Sequence, residues 1–153
     1  MELITFEDLE RLPEEPGKTE LLDGELIQLP PATRRHSRSS KRLLLRLFPL
    51  VESLGADGAT RGLGEVEIQM GYNIGGNPDS WLIPNVSVTH RDQPGDDYCG
   101  GAPLIAIEVI SEFHGAARLD RKIERYLANG GQEVWCSMAK RAACLPILPA
   151  GTR

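Results

Sequence analysis

The chain has few of the residues that build disulfide scaffolds, aromatic surfaces or membrane spans. It contains three cysteines, and none of them has the spacing of a CxxC pair or of a zinc site. Aromatic residues make up 5% of the sequence, and no uncharged apolar run is long enough to span a bilayer. No basic segment followed by an apolar run opens the chain. The sequence therefore predicts neither a signal peptide nor a membrane helix, and a cytoplasmic location is expected.

What the chain does have is the composition of one globular domain. Its 153 residues are enough to bury a core, and contents of 41% hydrophobic and 25% charged residues are ordinary for a soluble protein. The periodic apolar pattern ends near Met138. We therefore expect a single domain over residues 1–138, followed by a short irregular tail over residues 139–153.

The charge balance bears on the partner. The formal net charge is −5, whereas a dedicated nucleic-acid binder is more often basic. Basic clusters such as Arg34-Arg35-His36 and Lys41-Arg42 could still form one basic face on an otherwise acidic protein. The alternative is that these are solvated surface charges, and the sequence leaves both interpretations open.

Local patterns in the first third of the chain predict a hairpin and a helix. Asp23-Gly24 separates two apolar runs within Thr19–Leu29, and this dipeptide favours a type I′ turn, which needs positive φ at both positions. Leucines at helical spacing between Lys41 and Leu54 predict an amphipathic helix. Pro49 lies inside that helix and is expected to bend it or to split off its last turn.

The remaining chain predicts several strands and one further helix. Glu65–Met70 alternates like a strand with one solvent-exposed face, and Trp81–His90 is a second extended segment. The apolar run Pro103–Ser111 predicts a strand that is covered on both faces. A helix over Ala116–Asn129 then leads to a final strand, Gln132–Met138, which should lie parallel to the preceding strand. The fold class is α/β or α+β: a mixed β-sheet flanked by helices, with an N-terminal β-hairpin.

One carboxylate interrupts the buried strand. Glu108 lies within the run Ile105–Ile110, where an ionised side chain is rarely left without a partner. A structural ion pair with a lysine or arginine is the commoner explanation for such a residue. A metal ion is the alternative.

Several ordered motifs resemble the Uma2 family of restriction-endonuclease-like proteins. They are Glu20–Ile27, His36 before a leucine-rich helix, Ile83–Val88, Ile107–Ser111, Asp120-Arg121-Lys122 with Tyr126, and Glu133–Trp135. The resemblance runs from about residue 5 to residue 138. It implies the PD-(D/E)XK nuclease fold, metal-dependent hydrolysis of DNA phosphodiester bonds, and a homodimer as a candidate assembly.

The resemblance also implies roles for individual residues. A divalent ion such as Mg²⁺ or Mn²⁺, held by carboxylates, activates water and neutralises the charge that builds on the phosphate. Glu108 matches the main metal ligand of the family. Lys122, on the following helix, matches the lysine that orients the water or the phosphate, because Ile110 stands where most nucleases of this fold carry it. The alternative for Lys122 is an exposed helix position, and in either case its removal is expected to leave folding nearly unchanged.

The sequence departs from the family pattern at Asn85, where the family has aspartate. Asparagine keeps one carbonyl oxygen but lacks the charge, so Asn85 is expected to be a weakened second metal ligand. The nearby Asp79 has the composition of a turn around it and is not expected in the site. Glu25 is expected to line the cleft as an accessory carboxylate, although an exposed hairpin charge is the alternative. His36 is a candidate for contacting the phosphate or for supporting a site residue, but a histidine that faces solvent at the start of its helix is the preferred interpretation.

Two functions remain open on this basis. The first is a metal-dependent DNA endonuclease that Asn85 impairs. The second is a catalytically inactive protein of the nuclease fold, which acts as a nucleic-acid-binding or protein-interaction module. A decayed copy without function is a third possibility. Both of the first two predict that Asn85, Glu108 and Lys122 converge on one concave site.

Overall fold

A computed structural model describes residues 3–56, 62–110, 115–138 and 144–147. Within these ranges the helices are α1 (Phe6–Glu10), α2 (Arg34–Ala56) and α3 (Ala116–Ala128). The strands are β1 (Lys18–Leu22), β2 (Glu25–Leu29), β3 (Leu63–Ile68), β4 (Tyr72–Gly75), β5 (Ser80–Leu82), β6 (Val86–His90), β7 (Cys99–Gly100), β8 (Ile105–Ile110), β9 (Glu133–Met138) and β10 (Cys144–Ile147). None of the helices in the described ranges is long and apolar enough to cross a bilayer.

The first sheet contains the predicted hairpin. Its strand order is β2-β1-β5-β4-β7, and β1 and β2 pair antiparallel around Asp23-Gly24. Both turn residues have positive φ, 55° and 75°, as the type I′ prediction requires. The Gly24 N–H donates to the carbonyl of Asp79 at 2.8 Å, which ties the hairpin tip to the loop before β5.

The second sheet contains the buried strand at the centre of the sequence. Its strand order is β10-β9-β8-β6-β3, and β8 and β9 are parallel, as the connecting helix α3 predicts. The ladder between β6 and β8 ends with Val86 opposite Ile107, whereas β8 and β9 stay paired as far as Ile110. After Ile107, β8 therefore has a paired strand on the β9 side only. The candidate site lies at this gap in the sheet, where β6 no longer pairs with β8.

The main core lies where the two sheets and α3 meet. It combines buried residues of β1, β2, β4 and β5 with residues of β8, β9 and α3, among them Leu22, Ala106 and Tyr126. A second cluster places Leu47 of α2 against Val86 and Ile107. Because alternate residues of a strand point to opposite faces, α3 and α2 cover opposite faces of the second sheet. The α/β class with an N-terminal hairpin is confirmed, with two mixed sheets rather than one.

Two strand predictions were wrong in detail. Trp81–His90 is not one segment, because β5 and β6 belong to different sheets and Pro84, which cannot donate to a ladder, lies between them. The expected irregular tail contains β10, which pairs antiparallel with β9 and covers its outer edge. Residues 139–143 and 148–153 of the tail lie outside the described residues.

The long helix differs from its prediction at Pro49. α2 begins at Arg34 and continues through Pro49 to Ala56 without being split. A proline here leaves the carbonyl of Leu45 without its helical partner. Leu45 and Pro49 are both exposed, so solvent can bond that carbonyl and the helix tolerates the loss.

Candidate functional site

Four buried side chains from β1, β8 and α3 meet between the two sheets. Lys122 Nζ lies 2.6 Å from Glu108 Oε1, and it lies 3.0 and 3.1 Å from Oε1 and Oε2 of Glu20. Tyr126 donates its hydroxyl to Glu108 Oε1 at 3.0 Å. The exposed fraction is 0% for Glu20, Glu108 and Tyr126 and 1% for Lys122. We call these four residues the buried ion cluster.

The periodicity of each element brings these side chains together. Lys122 and Tyr126 are four residues apart and therefore share one face of α3. Glu108 lies two residues after Ala106 and shares its face of β8, which is the face that α3 covers. In β1, alternation places Glu20 on the same face as the core residue Leu22.

A second lysine holds Glu20 from the other side. Lys18 Nζ lies 3.2 Å from Glu20 Oε1 and donates to the Ile83 carbonyl at 2.6 Å. The Ile83 N–H donates to the same Glu20 oxygen at 3.0 Å. Lys18 and the cluster together contain two carboxylates and two ammonium groups, so their formal charges cancel.

The electrostatics keep Glu20 and Lys122 ionised. Burial raises the pKa of Glu20, but the ammonium groups of Lys122 and Lys18 outweigh it and lower the pKa to about 2. Burial lowers the pKa of Lys122, but the Glu108 and Glu20 carboxylates outweigh this effect, so the pKa is raised. Burial raises the pKa of Tyr126 well above its ordinary value, and both carboxylates raise it further. Tyr126 is therefore a neutral hydrogen-bond donor.

Asn85 fills the gap beside β8. Its Oδ1 accepts the Val109 N–H at 2.7 Å, and its own N–H donates to the Ile107 carbonyl at 3.1 Å. Asn85 thus contacts the residues on both sides of Glu108 and takes the place of the missing strand. The structure brings Asn85, Glu108 and Lys122 into one region, while their catalytic roles stay predictions.

The environment of Lys122 overturns one expectation. The sequence predicted an exposed or rim lysine whose loss would not affect folding. The side chain is instead fully buried and pairs with Glu20 and Glu108, and in the described part of the chain it is the cation that pairs with Glu108. Removing it must therefore destabilise the fold.

Glu25 lies outside the buried ion cluster, and Glu20 takes the place predicted for it. Glu25 Oε2 accepts from Arg121 Nη1 at 2.9 Å, and its side chain is 37% exposed at the hairpin turn. The hairpin register could have identified Glu20, because it pairs Glu20 with Ile27 and so places the carboxylate on the face that enters the core.

Arg121 and Arg125 of α3 anchor the hairpin turn rather than the site. Arg121 Nε donates to Asp23 Oδ2 at 3.0 Å and its Nη2 donates to the Leu22 carbonyl at 3.1 Å. Arg125 also donates to Asp23. These contacts fix the distance between α3 and β1, and therefore the position of Lys122 relative to Glu20.

His36 does not face solvent as expected. It is half-buried in the first turn of α2, and its Nδ1 is buried without a hydrogen-bond partner among the described residues. Burial and the charge of Lys18 lower its pKa, while the Val109 carbonyl and the Glu108 carboxylate offset part of this change. His36 therefore lies close to the strand end that carries Glu108.

A cavity of about 330 Å³ opens beside the buried ion cluster. Its lining includes Lys18, His36 and Asn85, together with Gln69 and the segment from Leu29 to Thr33 that joins β2 to α2. Three side chains next to the cluster therefore reach a space large enough for a small ligand group.

Two oxygen atoms of Glu108 and Asn85 have the chemistry of ligands for a divalent cation. Glu108 Oε1 is used by Lys122 and Tyr126, but Oε2 is a buried carboxylate oxygen with no hydrogen-bond partner in the described part of the chain. Asn85 Oδ1 has a second lone pair beyond the one that Val109 uses. No group of three or more His, Cys, Asp or Glu side chains in the described ranges is arranged to hold a metal ion. Water or substrate oxygens would complete the coordination.

Comparison with solved structures identifies the fold. A structure described as a putative nuclease belonging to DUF820, from Anabaena variabilis ATCC 29413, is similar with a TM-score of 0.74. The two sequences are 19% identical, and the match covers 97% of this chain and 82% of that one. No curated protein matches the chain.

Comparison with protein families covers most of the chain. The model of the Uma2 family, described as "Putative restriction endonuclease", matches residues 6–145. The matched range contains both carboxylates and both lysines of the site, as well as His36 and Asn85. The protein belongs to the Uma2 family.

Proposed function

We propose that the protein is a divalent-metal-dependent endonuclease that hydrolyses DNA phosphodiester bonds. Family membership supports a nuclease. The observation that carries the proposal is the unpartnered Oε2 of the buried Glu108 carboxylate. Glu108 does not itself line the cavity, but Asn85 does, and Asn85 is bonded to the residues on both sides of Glu108. Buried polar atoms are almost always satisfied in folded proteins, so this oxygen calls for a ligand.

The two oxygen atoms of the Glu108 carboxylate have different roles in this proposal. Lys122 and Tyr126 bond Oε1, which fixes the carboxylate and leaves Oε2 for Mg²⁺ or Mn²⁺. Asn85 adds a neutral carbonyl oxygen. The bound ion would supply an activated water and would neutralise charge on the phosphate.

Lys18 is a better candidate than Lys122 for the phosphate contact. The three donors of Lys122 are matched by three carboxylate oxygens, so a phosphate contact would require breaking the ion pair. Lys18 lines the cavity and uses two contacts, one with Glu20 and one with the Ile83 carbonyl. Lys122 is then a positioning residue, and Lys18 can offer its third N–H to a phosphate oxygen.

The surface of α2 supports DNA as the substrate. Six exposed basic residues lie in its first four turns: Arg34, Arg35, Arg38, Lys41, Arg42 and Arg46. The same helix places His36 in the cavity wall. In a chain of net charge −5, this concentration of positive charge favours a polyphosphate backbone at the mouth of the cavity. The homodimer stays a prediction.

The test is Asn85→Asp. Aspartate keeps the hydrogen bond from the Val109 N–H and adds the charge that a hard cation prefers. We expect plasmid cleavage in Mg²⁺ or Mn²⁺ to increase over the wild type, and the melting temperature to rise more with added metal. Asn73→Asp is the matched control, because its Oδ1 also accepts a backbone N–H, that of Gly75, but in β4. Absence of cleavage and of metal stabilisation in both the wild type and Asn85→Asp would overturn the proposal.

The charge balance favours a second candidate, a DNA-binding module without hydrolysis. The two carboxylates are already matched by Lys18 and Lys122, and Asn85 adds no further negative charge. This function predicts that DNA binds equally with metal and with EDTA. It also predicts that neither the wild type nor Asn85→Asp cleaves.

A further inference from the structure

Two buried side-chain atoms share one property. Among the described residues, His36 Nδ1 and Glu108 Oε2 are the buried side-chain polar atoms that lack a hydrogen-bond partner. Leaving such atoms unsatisfied is costly, and native proteins commonly satisfy them with water or an ion. One bound group that contacts both atoms would remove both costs.

The fold brings His36 and Glu108 to the same end of β8. His36 lines the cavity together with Asn85, and Asn85 is bonded to the residues on either side of Glu108. The Val109 carbonyl and the Glu108 carboxylate both act on the imidazole of His36. The first turn of α2 therefore covers the gap left where β6 ends.

The chemistry of the two atoms selects a cation. A phosphate would be repelled by Glu108 Oε2, whereas a metal ion can accept electron pairs from both a carboxylate oxygen and a neutral imidazole nitrogen. An imidazole ligand suits transition metals, while Mg²⁺ is bound mainly by oxygen atoms.

We propose that His36 Nδ1 and Glu108 Oε2 together bind one transition-metal ion, so that the site takes Mn²⁺ or Co²⁺ in preference to Mg²⁺. His36 adds a neutral nitrogen ligand to the site. It does not supply the negative charge that an aspartate at position 85 would provide. This inference rests on the proposed nuclease function for its meaning, but the metal site can be measured without activity.

The experiment is Mn²⁺ binding by the full chain, measured by electron paramagnetic resonance. Pulsed spectra of bound Mn²⁺ show a ¹⁴N modulation when an imidazole nitrogen is a ligand. We expect that modulation in the wild type and expect Mg²⁺ to compete poorly. In His36→Gln the modulation should disappear and the affinity for Mn²⁺ should fall by about 10-fold or more. Because losing an outer-shell partner can cost as much, the loss of the modulation is what identifies His36 as a direct ligand.

Two further variants make the result specific. Glu108→Gln should abolish tight Mn²⁺ binding, because it removes the charged ligand. His90→Gln is the matched control, since His90 Nε2 contacts the Gly130 carbonyl at 3.0 Å and is not part of the cavity lining. It should keep the wild-type spectrum and affinity. Circular dichroism establishes that each variant is folded.

Each outcome separates this inference from the proposed function. A wild-type spectrum without ¹⁴N modulation overturns the His36 ligand, whatever the variants do. Equal affinity for Mg²⁺ and Mn²⁺ overturns the metal preference. Nitrogen-bound Mn²⁺ without DNA cleavage in either the wild type or Asn85→Asp keeps the metal site and overturns the nuclease. Cleavage by the wild type, together with unchanged metal binding in His36→Gln, keeps the nuclease and overturns His36 as a metal ligand.

Discussion

At the scale of single residues, Lys122 shows how much depends on one buried charge. Its ammonium group lies between Glu20 of the first sheet and Glu108 of the second. Forming such a pair costs desolvation energy, so its net stabilisation is small. Breaking it is a different matter, because Glu108 then lies buried without its paired cation and close to Glu20, which only Lys18 still balances.

We expect Lys122→Met to lower the free energy of unfolding by about 3–5 kcal/mol. Combining it with Glu20→Gln and Glu108→Gln removes every formal charge from the cluster, and that triple variant should recover most of the loss. Urea denaturation measures both. Lys41→Met, on the exposed side of α2, is the control and should change stability little. If Lys122→Met were as stable as the wild type, the stabilising role of the ion pair would be contradicted. If it is destabilised as expected, a loss of activity in this variant cannot be used as evidence for a catalytic role of Lys122.

The residue scale is also where sequence-based prediction succeeded in part. Glu108 was identifiable because a charge in an apolar strand is conspicuous. Glu20 was not singled out, because Leu21 and Leu22 follow it and both are buried, so composition does not show which face the carboxylate takes. His36 was misplaced because local sequence cannot show that α2 begins against the end of β8.

At the scale of elements, α2 has a different function on each side. Its buried residues Leu47 and Val51 face the protein, with Leu47 packed on the second sheet. Its exposed basic residues face away from it. The helix thus connects the core to the surface on which we expect DNA to lie.

Replacing Arg35, Arg38 and Arg42 by glutamine should weaken DNA binding without destabilising the fold, because all three are exposed. For every phosphate that the variant no longer neutralises, the slope of log K against log salt should become shallower by about 0.9. Fluorescence anisotropy with a labelled duplex at several salt concentrations measures this slope. Arg11→Gln, an exposed arginine of the α1 end that pairs with Glu7, is the control. An unchanged slope in the triple variant would place the DNA elsewhere.

Elements were predictable where a local period or turn defined them. The Asp23-Gly24 hairpin, α3 and the parallel pair of β8 and β9 were confirmed. The boundary between β5 and β6 was not, because membership of different sheets depends on partners far away in sequence. β10 was missed for the same reason: its four residues form a strand because β9 offers an edge.

At the scale of the whole molecule, the buried ion cluster links the two sheets and makes stability depend on pH. The pKa of Glu20 is about 2 in the folded protein against an ordinary value of 4.5. The unfolded chain therefore binds this proton first as the pH falls. The stabilisation by Glu20 is complete above pH 4.5 and is lost progressively between about pH 4.5 and pH 2.

We expect the free energy of unfolding of the wild type to fall steeply in that window. Glu20→Gln cannot take up the proton, so its curve should be flatter although it starts from a lower stability. Urea denaturation at a series of pH values measures both curves. Glu25→Gln, which loses a partly exposed ion pair with Arg121, should keep the wild-type slope. Parallel curves for the wild type and Glu20→Gln would show that the Glu20 charge does not contribute.

The hydrogen bond between Asn85 and the Val109 N–H has an evolutionary consequence. An aspartate makes the same bond, and the codons for the two residues differ by one base, so the change in either direction leaves the fold intact. Glu20, Glu108 and Lys122 have no such freedom, because losing any one of them upsets the balance of two carboxylates and two ammonium groups in and beside the buried ion cluster. Under the proposed function, position 85 is therefore where a single base change can strengthen or weaken metal binding while the hydrogen bond to β8 is kept.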